Sequence, residues 1–295
     1  MAAQLKPNAS YLMLQHEGAR LVLDPTHGGV IREFGCLGRE ILRRAPVGST
    51  DPMAAACFPM VPYANRIADG TFRSGERSVR LRPNWDHDAS PLHGQGWRSA
   101  WQIVAATGSD ATLEFHGGGD EWPWRYRAEQ YFRLGTSTLD VRLSVENLAN
   151  LPMPAVLGLH PYFADAARAR LQAHTPRVWT MDARSLPVAQ MPTPVAWSFS
   201  EGRAVGAMPL DHCFAGWDGI AVLKWPEFTL QLRARNCGYL HVFVPRDAGF
   251  FCAEPQTAAI GALGRGPDEA VLVQPRERYV MQVSFEVEVS QCFSE

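Results

Sequence analysis

Strict alternation of apolar and polar residues constrains this chain more than any other feature. In 138–146, TLDVRLSVE, Leu139, Val141, Leu143 and Val145 fall on one face and Asp140, Arg142, Ser144 and Glu146 on the other. The run 228–235, FTLQLRAR, repeats the pattern with Phe228, Leu230, Leu232 and Ala234. The C-terminal YVMQVSFEVEVS carries it through Met281, Val283, Phe285, Val287 and Val289. Side chains of a pleated strand point alternately to its two faces, so each run predicts a half-buried strand of an antiparallel sheet. LVL at 21–23, TLEF at 112–115 and YLHVFV at 239–244 carry the same signal over fewer residues. Helical periodicity is nearly absent; only ADAARARLQA, near 164–173, predicts a short helix from its alanines and arginines. Twenty-five glycines and 22 prolines supply the turns that many short strands need. With no βαβ alternation, repeat or linker, the expectation is all-β: one large antiparallel β-sandwich domain spanning 1–295.

Composition removes several classes of function. A formal charge of -2 and scattered arginines give no electrostatic grip on nucleic acid or an anionic membrane. No stretch approaches the roughly 18 apolar residues of a membrane span, and MAAQLKPNAS has no apolar signal core, which points to the cytoplasm. Cysteines 36, 57, 213, 237, 252 and 292 form no CxxC pair and read as buried thiols rather than a disulfide or zinc framework.

Five segments interrupt the alternation with residues that carry chemistry. FPMVPYANRIADGTF, 58–72, holds Asn65 and Arg66 in a proline-stiffened loop; the plain reading is a surface turn, the functional one a loop aiming a guanidinium fork at hydroxyls or carboxylates. SPLHGQGWRSAW, 90–101, sets His93 among glycines ahead of Trp97 and Trp101, a grouping that also suits sugar binding. In PMPAVLGLHPYF, 152–163, His160 follows an apolar run and precedes Pro161; a lone histidine is more often a satisfied core residue, but Gly158 and Tyr162 make this segment more specific. LDHCFAGWDG, 210–219, begins with Asp211, a residue that at a turn is ordinarily a local hydrogen-bonder. GFFCAEPQTAAIGAL, 249–263, buries Glu254 in an apolar run. A carboxylate there must edge a cleft or find a cation, and a general base is its natural role, tuned upward by the apolar setting or downward by Arg66.

Taken in order and separation, NRIADGTF, LHGQGW, GLHPYF, LDHCF and CAEP resemble the aldose 1-epimerases, or galactose mutarotases, over about residues 58–263. The resemblance implies a large β-sandwich with a sugar in an open cleft and no metal or organic cofactor. It implies Glu254 as the general base at the anomeric hydroxyl and His160 as the acid at the ring oxygen. His93 and Arg66 match ligands of the sugar oxygens, Asp211 a carboxylate that binds neighbouring hydroxyls, and Asn65 accompanies Arg66 in its loop. The expected partner is a small sugar bound by a monomer or homodimer. Galactose-acting members carry threonines on either side of the motif histidine and an asparagine after the phenylalanine; here the run is Gly158-Leu159-His160-Pro161-Tyr162-Phe163-Ala164, which implies a divergent branch. Wider relatives act on phosphorylated or sulfonated hexoses, for which Arg32, Arg73, Arg98 and Arg246 are available.

Two other readings compete. A non-catalytic carbohydrate-binding or regulatory protein of the same fold would depend on Trp97, Trp101, Trp122 and Trp124. A metal-dependent enzyme would use His93, His160, Asp211 and Glu254 as ligands, residue types that suit zinc or iron, although no compact ligand spacing joins them.

Overall fold

The three alternating runs lie side by side in one sheet. Phe228–Arg235 pairs with Arg278–Val289, and that strand pairs with Thr138–Asn147, so the apolar stripes of all three coincide. This sheet has nine strands and continues through Tyr126–Leu134, Asp110–Gly117 and Gln102–Ala106 on one side. A second sheet has twelve, and residues 4–5, 11–266 and 269–289 of this computed structural model are the ones described. Both sheets are antiparallel, and their apolar faces meet: Phe34 of the larger sheet packs edge-on against Phe285 of the smaller, ring centres 6.3 Å apart. Leu139, Leu143, Leu230, Leu232 and Phe285 are fully buried in one continuous core. The chain is thus an all-β sandwich, as the periodicity predicts.

Five strands in the middle of the larger sheet carry the residues of interest. In chain order they are β1 (Cys57–Met60), β2 (Gly158–Ala164), β3 (Leu210–Ala215), β4 (Tyr239–Val244) and β5 (Phe250–Gln256), and across the sheet they run β1-β2-β5-β4-β3. β1, β2 and β5 are buried on both faces. One face, with Phe163 and Phe251 opposite each other, joins the core. The other lies under the loop segments between residues 61 and 98, where Val61 bridges to Gly94 and Arg66 to Leu92. Gly94 is required there: at φ +74° it brings its backbone so close to Val61 that a Cβ would lie 2.3 Å from the carbonyl oxygen.

The helix expected near 164–173 is absent. Asp165 sits at φ +56°, turns follow, and Arg170–Ala173 is a strand paired with Ile220–Lys224. A weak local preference for helix has yielded to sheet pairing that buries Leu171 and Ala173. The α-helix among the described residues is the single turn Ala262–Arg265. Cysteines 36, 57, 213, 237 and 252 are buried free thiols, and Cys292 lies outside the described residues. No helix among the described residues is long and apolar enough to cross a membrane.

Candidate active site

Register assembles the site. Gly158 pairs with Gln256 and Tyr162 with Cys252, so His160 and Glu254 stand opposite each other on β2 and β5. Pro161 and Pro255 lack the N–H that a ladder needs, and the pairing of these two strands is open between those flanking pairs. Glu254 also faces His241 on β4, and His160 faces Phe58 on β1. A single row across the sheet therefore reads Phe58, His160, Glu254, His241. The next row holds Tyr162, Cys252, Phe243 and Asp211.

Within the first row the His160 Nε2 lies 3.3 Å from Glu254 Oε1. Two rings pack on the imidazole, Phe58 at 4.5 Å and Tyr162 at 4.6 Å, and lie 6.1 Å from each other, which restrains its plane. Glu254 is 1% exposed, and its other oxygen accepts a hydrogen bond of 3.2 Å from the Gln256 amide. That amide accepts in turn from Asn65 Nδ2 at 2.8 Å. Gly158 leaves the room, since a Cβ there would press on Gln256 Cγ at 3.2 Å and Met60 Cε at 2.5 Å. Asn65 and His93, at φ +62° and +55°, are held by reciprocal bonds: His93 N–H donates to the Asn65 carbonyl, and Asn65 N–H donates to His93 Nδ1, each at 3.1 Å. Accepting at Nδ1 places the proton of neutral His93 on Nε2, making it a donor.

Burial drives both members of the central pair toward their neutral forms. Desolvation raises Glu254 to about 7, partly offset by the nearby His241 charge. Desolvation, followed by repulsion from His241, lowers His160 to about 3. Between those limits the pair holds one proton. Burial also keeps His93 neutral, well below the usual histidine range. His241 behaves in the opposite way. Burial alone would discharge it, but Glu254 and its 2.8 Å bond to Asp211 Oδ1 hold it protonated, well above its usual range. Asp211 also feels burial, yet the His241 bond and charge, with the Ser185 hydroxyl donating to Oδ2 at 2.8 Å, keep it ionised.

These groups line a cleft of about 160 Å³ with Asn65, Arg66, His93, Tyr162 and the side chains of Met53, Trp85, Leu92 and Phe243. All six residues singled out in the sequence, Asn65, Arg66, His93, His160, Asp211 and Glu254, meet here. Arg66 is tied to Asp88 at 2.5 Å. Trp97, Trp101, Trp122 and Trp124 are buried in the core, and the aromatic walls of the cleft are Trp85, Tyr162 and Phe243 instead. None of Arg32, Arg73, Arg98 and Arg246 lines it; Arg246 borders an adjoining groove that shares Asp211 and Phe243. The donors that converge closely enough for a metal are His160, Cys252 and Glu254, not the four-residue set weighed from the sequence. His241 escaped the sequence reading because YLHVFV passes as an ordinary strand; its signal was one ionisable residue between Tyr239 and Phe243 on the face opposite three aliphatics.

The profile of the aldose 1-epimerase family matches residues 11–286. The chain belongs to the aldose 1-epimerase family. The uncharacterised Escherichia coli K12 protein YphB is 31% identical over 278 residues, covering 88% of this chain and 93% of that one. A crystal structure from the same organism, provisionally described as an aldose 1-epimerase, superposes with a TM-score of 0.90 at 28% identity over 95% of this chain and 99% of that one. A galactose mutarotase-like protein of Clostridium acetobutylicum shares the fold, with a TM-score of 0.82 at 20% identity over 95% of each chain. The aldose 1-epimerase fold is therefore what places these five strands side by side.

Proposed function

We propose that this epimerase interconverts the α and β anomers of an aldose by acid–base ring opening, with Glu254 as base and His160 as acid. The observation that carries this reading is the pair itself: two titratable groups 3.3 Å apart, facing each other across an opened ladder at the floor of a sugar-sized cleft. In the empty cleft the shared proton resides on Glu254. Transfer to His160 Nε2 leaves a carboxylate that takes the proton of the anomeric hydroxyl and an imidazolium that protonates the ring oxygen. The C1–O5 bond breaks as the C1 carbonyl forms. Rotation about C1–C2 turns the other carbonyl face to the ring hydroxyl, and reclosure returns both protons. His93 Nε2–H, Arg66 and the His241–Asp211 pair are suited to hold hydroxyls during the rotation, while Asn65 acts through Gln256 on the base. Both cationic side chains of the cleft already face carboxylates, which favours an uncharged sugar over a phosphorylated or sulfonated one. The continuous core supports a single domain.

Exchange NMR or polarimetry with anomerically pure hexoses tests the assignment. Glu254→Gln lowers the catalysed rate by about 10²–10⁴-fold, the usual worth of one positioned base. Undiminished interconversion in that variant removes Glu254 from the role. Sugar binding without turnover in the intact protein favours the carbohydrate-binding alternative.

A further inference from the structure

Against Tyr162 lies a charge that none of the five motifs contains. The Arg43 guanidinium sits 3.7 Å from the centre of the Tyr162 ring, and that ring stacks on His160 at 4.6 Å. Phe58 also packs on the imidazole at 4.5 Å, and its ring lies 6.1 Å from that of Tyr162, so the continuous contact runs guanidinium, phenol, imidazole with Phe58 beside the last two. Arg43 is anchored on every side. Its Nε and Nη2 donate to the Ala55 carbonyl at 3.2 and 3.0 Å, Nη2 also donates to the Met53 carbonyl, and its backbone N–H donates to the Tyr162 carbonyl at 2.9 Å. All of its side-chain acceptors are neutral, and it forms no ion pair among the described residues. A half-buried guanidinium with no carboxylate of its own is costly to keep. A cation on an aromatic face is stabilised by the ring, and its charge acts through space on groups packed nearby.

We infer that Arg43 is a positioning residue that acts through Tyr162 on His160, holding the imidazole in its plane and opposing its protonation in the resting site. An acid that is hard to protonate gives its proton up readily once it has one, which is what the ring-oxygen step requires. The inference rests on the acid role proposed for His160. The other charged or titratable groups around His160 are Glu254 and Cys252 on β5, His241 on β4, Asp211 on β3, Cys57 on β1, and His93 and Arg66 from the loops. Burial pushes its proton affinity down most, His241 and Arg43 add to that, and Asp211 opposes them.

The test reads the imidazole directly, apart from turnover. With ¹⁵N-histidine labelling at pH 5, Arg43→Gln, which keeps an amide donor but loses the charge, raises the imidazolium population of His160 about tenfold, as one pKa unit requires. Arg43→Lys keeps the charge and leaves that population near wild type. Arg43→Met keeps much of the side-chain stem, loses the charge and raises it as Arg43→Gln does, so this variant decides the matter if Arg43→Gln does not fold. A folded Arg43→Gln whose His160 nitrogens keep their wild-type shifts overturns the inference and leaves Arg43 as a brace for residues 53–55. A protein that shows these shifts but interconverts no sugar retains the inference about the imidazole and loses the mutarotase reading.

Discussion

The two sheets of this molecule obey one backbone geometry and carry opposite contents. In the nine-stranded sheet the inward positions of Thr138–Asn147 and its neighbours are apolar except for the uncharged amides Gln130 and Asn147, and the outward face is laced with pairs such as Arg127–Glu146 at 2.5 Å. At the centre of the twelve-stranded sheet both faces are covered, and the face away from the core carries a histidine, a glutamate and a second, charged histidine in one row. The first sheet spends its alternation on stability. The second uses the same alternation to hold ionisable groups in fixed register, at a cost that the rest of the sandwich must offset. Rigidity at the site is borrowed from a core built elsewhere.

Substitutions should separate these two roles. Glu254→Gln gives the largest functional effect, the rate loss of about 10²–10⁴-fold described above, with no loss of folded stability. Its stability effect has a definite sign. The folded pKa of about 7 lies above the carboxylate's ordinary value, so the folded state favours the protonated form, and that contribution is lost as pH rises through 7. Thermal melts should therefore show the Gln variant gaining on wild type between pH 5 and 8.5, by on the order of a few kcal/mol. A variant that weakens relative to wild type over that interval would contradict a buried, proton-seeking glutamate.

The mirror experiment is Phe285→Ala in the nine-stranded sheet. It empties a fully buried ring site and should cost about 3–5 kcal/mol in urea unfolding, while the rate per folded molecule stays at wild type. His241→Gln is smaller and functional: it removes the cation opposite Glu254, moves the carboxyl further above 7 by about one unit, and shifts that limb of the kcat/KM profile with it. An unmoved limb would mean that the field of His241 does not reach the base. The smallest effect belongs to Gln282→Ala on the outward face of the nine-stranded sheet, within about 0.5 kcal/mol and without kinetic consequence.

The same contrast governs what the sequence disclosed. The runs 138–146, 228–235 and 279–289 were legible because a half-buried strand must alternate, and they are three adjacent strands of one sheet. The central strands, buried on both faces, have no such period; GLHPYF and FFCAEPQ stand out through their chemistry instead. Glu254 was conspicuous because a carboxylate in an apolar run demands an explanation. His160 drew its role from the resemblance. His241 and Arg43 were hidden, because a histidine among aromatics and an arginine in ILRRAP acquire meaning only from neighbours distant in the chain. Arg66 is no free cation, since Asp88 in the same loop region already answers it.

The row proposed to move protons lies wholly on strands, whereas Asn65, Arg66, Trp85, Leu92 and His93 come from the covering segments between residues 61 and 98. A fold divided in this way separates the reaction from the choice of reactant. Substitutions at Arg66, Trp85 or Leu92 reach the cleft without disturbing the strand register that sets His160 against Glu254.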